Sequence, residues 1–131
     1  MLRPGSSVAV LCSGEIANET LAAYELLKPS GMMPLVYQVH TAKPLDTATL
    51  DRLAKTVGAI VVIEEHVPAG GLFSAVASWA ALSGAGVRLY RLGAPDQFQL
   101  GTLERDELRR RLGLNSTGIA ESCRAIFRKL S

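Results

Sequence analysis

The chain has 131 residues, of which 48% are hydrophobic and 20% are charged, a balance typical of one ordinary globular domain and not of a disordered segment. Its formal charge of +2 is too small to indicate a nucleic-acid or anionic-membrane partner. The cysteines Cys12 and Cys123 do not form a CxxC motif, and no stretch resembles a signal peptide or a membrane span, so zinc chemistry is disfavoured and a reduced, cytoplasmic setting is expected.

Short β-rich runs alternate with amphipathic helical runs along the first half of the chain. SSVAVLCSG is nearly all apolar and predicts a buried parallel strand closed by Gly14. IANETLAAYELL has apolar residues at helical spacing, and Pro29 and Gly31 end that helix. MMPLVYQVH predicts a second strand. In the helical run KPLDTATLDRLAKTVG, Asp46 is the expected N-cap and Gly58 the expected end.

The second half continues this alternation. AIVVIEE is the most apolar run and predicts a strand near the sheet centre, and GGLFSAVASWAALSG predicts an alanine-rich helix in which Phe73 and Trp79 pack on the core. VRLYRL predicts a fourth strand and GAPDQFQLG a loop. Two terminal helices follow, RDELRRRLGL and STGIAESCRAIFRKL, the second beginning near Ser116 or Thr117. The pattern predicts one α/β domain over residues 1–131, with a parallel sheet covered on both faces.

Two loops are the candidate functional positions. In open parallel sheets, ligands bind beyond the carboxyl ends of strands, where the strand order reverses. If the order is 2-1-3-4, the loop with Ser13 and Gly14 lies beside the loop EEHVPAGG after the third strand. Glu64, Glu65 and His66 would then sit next to the first loop.

The EEHVPAGG loop has both chemical and structural interpretations. His66 can act as a general base near neutral pH, and the carboxylates can perturb each other or bind a metal. Gly70 and Gly71 let backbone approach a ligand ahead of a helix N-terminus, which favours an anion. Because successive strand residues point to opposite faces, Glu64 and Glu65 do not both face one site. The structural interpretation is that one carboxylate accepts backbone hydrogen bonds and the glycines only shape the turn.

Other catalytic motifs are missing from the sequence. There is one glycine where GxGxxG needs three, and neither GxxxxGK[ST] nor GxSxG occurs. Ser13 and His40 are interpreted as loop residues. A metal-binding pair of His40 and His66 is not expected, because two strands are taken to separate them. A metal-dependent hydrolase that uses Glu65 and His66 is a minor alternative.

Four segments resemble the last domain of transketolase-like thiamine-diphosphate enzymes. EEHVPAGGLFSAV is similar to E-[ED]-H-x-x-x-G-G-L-G-x-A-V, and KPLD is similar to the turn after that domain's second strand. RLGAPDQF is similar to R-[LI]-G-[VL]-P-D-x-F, and LRRRLGLNSTGI to the closing signature L-x-x-x-[YLF]-G-L-[DT]-x-x-G-I. The four occur in the family's order and span nearly the whole chain. Two residues depart from the pattern: Phe73 replaces a usual glycine, and Glu15 places a charge beside the first loop, which weakens an anion site there.

The resemblance implies a three-layer α/β/α domain whose sheet has four parallel strands and one antiparallel edge strand. That edge strand falls at or before MLRPG and is expected to be mostly missing, which would leave a sheet edge able to pair. LRPG resembles the tail of a domain linker, so the chain is interpreted as a fragment or a separately encoded segment of a longer enzyme.

The resemblance also implies a non-catalytic role. In the family, thiamine diphosphate lies between two preceding domains of a dimer, where a GDG…N motif holds its diphosphate and magnesium. This chain has no GDG, so we expect no bound cofactor, no metal and no catalytic residue here. The expected role is dimerisation and contact with the preceding domains or subunit of the same enzyme. The candidate interface or ligand-binding residues are Ser13, Gly14, Glu64, Glu65, His66, Gly70 and Gly71.

The leading hypothesis is therefore the C-terminal domain of a transferase that moves a two-carbon ketol or aldehyde unit. LGLNSTGI and APDQF favour transketolase or deoxyxylulose-phosphate synthase over the β-chain of a 2-oxoacid dehydrogenase. The alternative is a stand-alone regulatory module whose strand-end loops bind a small anion such as a nucleotide or coenzyme A.

Overall fold

The computed structural model describes residues 1–97, 101 and 103–131. Within them the alternation of strands and helices is confirmed, and the helices in this part of the chain all fall short of what a membrane crossing requires. Residues 98–100 of the predicted loop, including Phe98 of the RLGAPDQF segment, lie outside the described residues. The elements are β1 (Ser7–Cys12), α1 (Ile16–Leu27), a 3-10 turn (Lys28–Ser30), β2 (Leu35–Gln38), α2 (Thr47–Thr56), β3 (Val57–Ile63), α3 (Leu72–Ser83), β4 (Arg88–Leu92), α4 (Arg105–Arg111) and α5 (Ser116–Leu130).

The four strands form one parallel sheet in the predicted order β2-β1-β3-β4. Alternate side chains of β1 enter two separate cores, since Val8 and Val10 pack beneath α1 and α5 while Ala9 and Leu11 pack beneath α2 and α3. Because β1 and β3 are both covered on two faces, their sequences are nearly continuous apolar runs. The predicted three-layer α/β/α architecture is confirmed.

The antiparallel edge element implied by the family resemblance is reduced to a single bridge. Arg3 pairs antiparallel with Val36 of β2. The amide nitrogens of Leu2 and Arg3 lie 2.7 and 3.3 Å from the Val36 carbonyl oxygen, and the Val36 amide donates to the Arg3 carbonyl at 3.0 Å. Antiparallel pairing at MLRPG is thus present as this one bridge beside β2.

The start of α2 agrees with the sequence, but its end does not. Asp46 is the N-cap, and its Oδ1 accepts a hydrogen bond from the Thr49 amide at 3.0 Å. The prediction that Gly58 ends this helix is wrong, because α2 stops at Thr56 and Gly58 lies inside β3.

Gly58 instead forms a bulge in the sheet. Ser7 aligns with Val57 but Val8 aligns with Ala59, so Gly58 is the extra residue of β3. A Cβ atom there would lie 3.2 Å from Cδ2 of Leu130, so the glycine also lets the end of α5 pack closely on the sheet.

Both cysteines are free and buried in the core beneath α1 and α5. Burial raises the pKa of Cys12 to about 11 and that of Cys123 to about 12, so both thiols are protonated near neutral pH. They act as small apolar core residues.

Candidate functional site

The two loops singled out by the sequence lie side by side at the carboxyl end of the sheet, because β1 and β3 are neighbours. Ser13, Gly14 and His66 line two depressions of the surface there. The first, of about 400 Å³, is also lined by Gln38, Val39, His40, Ala42, Gly70, Gly71 and Leu72. The second, of about 450 Å³, extends to Glu15, Glu65 and Arg105.

The two histidines share the first of these depressions. The expectation that two strands separate them is wrong, because β1 alone lies between β2 and β3. Both side chains are exposed. Across the part of the chain that the structure describes, no group of three or more His, Cys, Asp or Glu side chains is arranged to hold a metal.

Glu64 lies beneath the surface, fully buried, and lines neither depression. Its Oε1 accepts a hydrogen bond from Nε of Arg91 at 2.9 Å, and its Oε2 accepts one from the Phe73 amide at 3.3 Å. Nη2 of Arg91 donates in turn to the carbonyl oxygens of His66 and, at 2.9 Å, Ala94. One buried ion pair thus joins the loop after β3, the first turn of α3 and the loop after β4.

Two glycines make room for this ion pair. A Cβ atom on Gly71 would lie 2.3 Å from Oε2 of Glu64, and one on Gly93 would lie 2.5 Å from Nη2 of Arg91. Gly70 is different, because it faces open space and has a φ of +79°, which suits a tight turn. The anion beside the N-terminus of α3 is therefore the chain's own Glu64 carboxylate, which supports the structural interpretation of the two adjacent glycines.

Phe73 occupies the position where the family pattern usually has glycine. Its ring is half-buried and packs against the core beneath α2 and α3, while its amide supports Glu64. The predicted core role of Trp79 is also confirmed, since this side chain is buried and its Nε1 donates to Oδ1 of Asp51 at 2.9 Å.

Glu65 points away from Glu64, as the alternation of a strand predicts. Its Oε1 accepts from Nε of Arg109 at 2.7 Å and its Oε2 from Nη2 of Arg105 at 2.7 Å. Burial acts to raise the pKa of Glu65, but the hydrogen bonds from Arg105 and Arg109 outweigh it and hold that pKa below the ordinary value of 4.5. With both oxygens bound to arginines, this carboxylate is poorly suited to be a metal ligand or a general base.

The Glu65 contacts attach α4 to the sheet. This short helix has no buried residue of its own, and Arg105 also pairs with Glu15 at the start of α1. Glu15, the second departure from the family pattern, thus helps hold α4.

The arginines of this region were not among the sequence candidates. Arg91 is largely buried in β4 and so needs a partner, but Arg88 in the same strand is exposed, and the sequence alone did not distinguish the two. Arg105 and Arg109 are four residues apart and share one helix face. Arg110 and Arg111 lie on the solvated side of α4, where they are exposed and pair with Glu107 within the helix.

Comparison with known proteins gives consistent matches. The family model described as transketolase, C-terminal domain, matches residues 1–119. The 1-deoxy-D-xylulose-5-phosphate synthase of Syntrophotalea carbinolica is 38% identical over 124 residues, which are 94% of this chain and 19% of that protein. The synthase of the same name from Synechococcus sp. (strain JA-2-3B'a(2-13)) is 39% identical over 127 residues, covering 97% of this chain and 19% of its own length.

A solved structure has the same fold. Its title is "Split gene transketolase, inactive beta4 tetramer", and it superposes with a TM-score of 0.84 at 27% sequence identity, covering 95% of this chain and 40% of its own. The present chain spans about a fifth of the length of the curated relatives that it matches.

Replacing Arg91 with methionine is expected to lower the free energy of unfolding by about 3–5 kcal/mol, because it leaves the Glu64 carboxylate buried without a counter-charge. The measurement is denaturant unfolding at neutral pH. Adding Glu64→Gln to Arg91→Met should recover part of the loss, since no charge then remains buried. Arg88→Met on the same strand, where the side chain is exposed, is the control and should change stability by no more than about 0.5 kcal/mol. A loss at Arg91 equal to that of the control contradicts the assigned role.

Replacing Glu65 with glutamine is expected to speed amide hydrogen exchange in α4, because this removes the charge that Arg105 and Arg109 share. Glu107→Gln is the matched control. Because Glu107 pairs with Arg110 and Arg111 inside α4, this variant should leave the attachment of the helix to the sheet unchanged. Equal exchange in the two variants would show that α4 is held by other contacts.

The attachment of α4 should also depend on pH. Since the folded pKa of Glu65 is lowered, its contribution is fully present above the ordinary value of 4.5 and is lost as the pH falls through the lower folded value. Exchange in α4, corrected for the intrinsic pH dependence of amides, should rise in that acid range for the native chain and change less for Glu65→Gln.

Proposed function

The chain belongs to the transketolase C-terminal domain family, and from this premise we propose that it is the non-catalytic C-terminal domain of a thiamine-diphosphate-dependent transferase. The family match over residues 1–119 is the observation that carries the proposal. In this proposal, thiamine diphosphate and magnesium bind to other domains or to a partner subunit. The whole cytoplasmic enzyme transfers a two-carbon ketol or aldehyde unit.

The named relatives favour one branch of the family. Those reported above are 1-deoxy-D-xylulose-5-phosphate synthases, and each aligns with nearly all of this chain. We therefore assign the whole enzyme to the synthase branch in preference to transketolase itself or the β-chain of a 2-oxoacid dehydrogenase.

The ion pairs at the carboxyl end of the sheet support a structural role for the loops. Glu64 is bound by Arg91 and Glu65 by Arg105 and Arg109. These carboxylates hold loops and α4 in place, so neither is available to carry a proton to a substrate. The rim residues that remain exposed, Gly14, His66 and Gly70, together with Ser13, form a surface suited to contact with the preceding domains.

Self-association is the second part of the proposal. In the described part of the sheet, β4 pairs only with β3, so its outer edge presents backbone groups that another chain can bind. Leu82 at the end of α3 is 90% exposed. The solved neighbour is titled a tetramer.

The proposal predicts that the chain alone, supplied with thiamine diphosphate, magnesium, a ketose or 2-oxoacid donor and an aldose acceptor, shows no turnover. A chimaera in which this chain replaces the corresponding region of the Syntrophotalea carbinolica synthase should keep synthase activity. Light scattering should give the isolated chain a mass of at least twice 14.0 kDa. Turnover by the isolated chain overturns the non-catalytic assignment, and a mass of 14.0 kDa across the micromolar range overturns self-association.

A second candidate function is small-anion binding in the depression lined by His40 and His66. The observation in its favour is that Ser13, Gly14 and Gly70 line the same concave surface as the two imidazoles. The Glu64 carboxylate next to Gly71 counts against it.

Calorimetry with phosphate, nucleotides and coenzyme A tests this second candidate. A micromolar dissociation constant that is lost in the His40→Ala, His66→Ala double variant would establish anion binding at this site. The absence of any heat of binding would rule out this second candidate function. The histidine variants are preferable to Gly70→Val, because the positive φ of Gly70 makes a β-branched residue strained there whatever its effect on a ligand.

A further inference from the structure

A cleft of about 770 Å³ lies between the end of β2 and the first turns of α2. Leu11 and Leu50 form its floor and are only 2% and 3% exposed. Tyr37, Val39 and Leu45 line its walls and are half-buried. The volume lies within the range of about 300–1,000 Å³ typical of small-molecule sites.

The cleft exists because the helical layer stops short of β2. In the register of the sheet, Tyr37 lies beside Leu11, so both side chains point to the face that α2 and α3 cover. β2 is the outermost strand on its side of the sheet, and α2 packs on β3, two strands away. The side chains of β2 therefore extend the apolar core to a surface that no element in the described part of the chain covers fully.

The rim of the cleft carries one guanidinium, that of Arg52, and one carboxylate, that of Asp46. The guanidinium of Arg52 lines it and donates to Oγ1 of Thr49 at 2.8 Å, but no ion pair found among the described residues includes Arg52. His40 lies on the same rim. The one carboxylate of the lining, Asp46, is engaged at the start of α2, where it accepts from the amide and the hydroxyl of Thr49 at 3.0 and 2.7 Å.

We propose that this cleft binds a small amphipathic anion. A flat apolar body would lie on Leu11, Tyr37 and Leu50, and a carboxylate, sulfonate or phosphate group would meet Arg52. An apolar floor accepts such a body by burying its surface. The Arg52 guanidinium, which contacts Asp46 only through the Thr49 hydroxyl, has N–H groups left to donate a charge-assisted hydrogen bond to the acid group. This site uses neither the loop after β1 nor the loop after β3, and it shares only Gln38, Val39 and His40 with the depression of the second candidate function.

The test uses the full chain and 8-anilinonaphthalene-1-sulfonate as the probe, followed by fluorescence. We expect one saturable site per chain. Arg52→Gln should raise Kd by at least about fivefold, the effect of losing one charge-assisted contact. Lys55→Gln removes the same charge from the same helix but borders a different depression, and it should leave Kd unchanged. N-phenyl-1-naphthylamine, which lacks the sulfonate, should bind at least about fivefold more weakly than the probe.

Backbone amide chemical shifts locate the bound probe. With ¹⁵N-labelled protein, the changes should cluster at residues 37–52, and Leu45→Trp, which fills the cleft, should abolish them while circular dichroism stays native. The proposal is overturned if the probe does not bind, if Arg52→Gln and Lys55→Gln bind it equally, or if the shifts cluster elsewhere, for example around Leu82.

Discussion

The ion pair between Glu64 and Arg91 is the contact on which the carboxyl end of the sheet depends. A fully buried carboxylate is tolerated only when its charge and its lone pairs are satisfied. Here Arg91 satisfies one oxygen and the Phe73 amide the other. The arrangement needs Gly71 and Gly93, since a Cβ atom at either position would collide with the pair. The ion pair thereby fixes the loop after β3, the first turn of α3 and the loop after β4 relative to one another.

This contact also explains two of the segments that carry the family resemblance. EEHVPAGGLFSAV supplies Glu64, Gly71 and the Phe73 amide, and RLGAPDQF supplies Arg91 and Gly93. The segments are distant in the chain but follow neighbouring strands, β3 and β4. Their residues are what one buried ion pair requires, so the resemblance at these positions indicates shared architecture and does not by itself indicate shared chemistry.

The sequence predicted the parts of the fold that depend on local pattern. The alternation of apolar runs and helical periods indicated the layers, and Asp46 was recognisable as a cap from its position before α2. The alternation of strand side chains also separated Glu64 from Glu65. Gly58 was misplaced, because a glycine between a helix and a strand suits either a helix end or a bulge, and only the pairing with β1 decides between them.

The parts that could not be predicted are those set by contacts between distant segments. Nothing in a helix of mixed charge says which arginine will face the sheet, yet Arg109 is nearly buried against Glu65 while Arg110 is exposed. The proximity of His40 and His66 also depends on β1 alone separating their strands, a property of the assembled sheet. Sequence reasoning identified the loops as candidates, but their ion-pair partners emerged only from the tertiary structure.

The protonated state of the two native thiols has a practical consequence. Cys12 and Cys123 are buried in the core and their pKa values are raised far above neutrality. Their thiols would therefore not react with maleimide reagents in the folded protein. A single cysteine introduced on the surface would then be the sole point of attachment. A spin label or a fluorescent dye could report the docking of this domain in a larger assembly with the native core left intact.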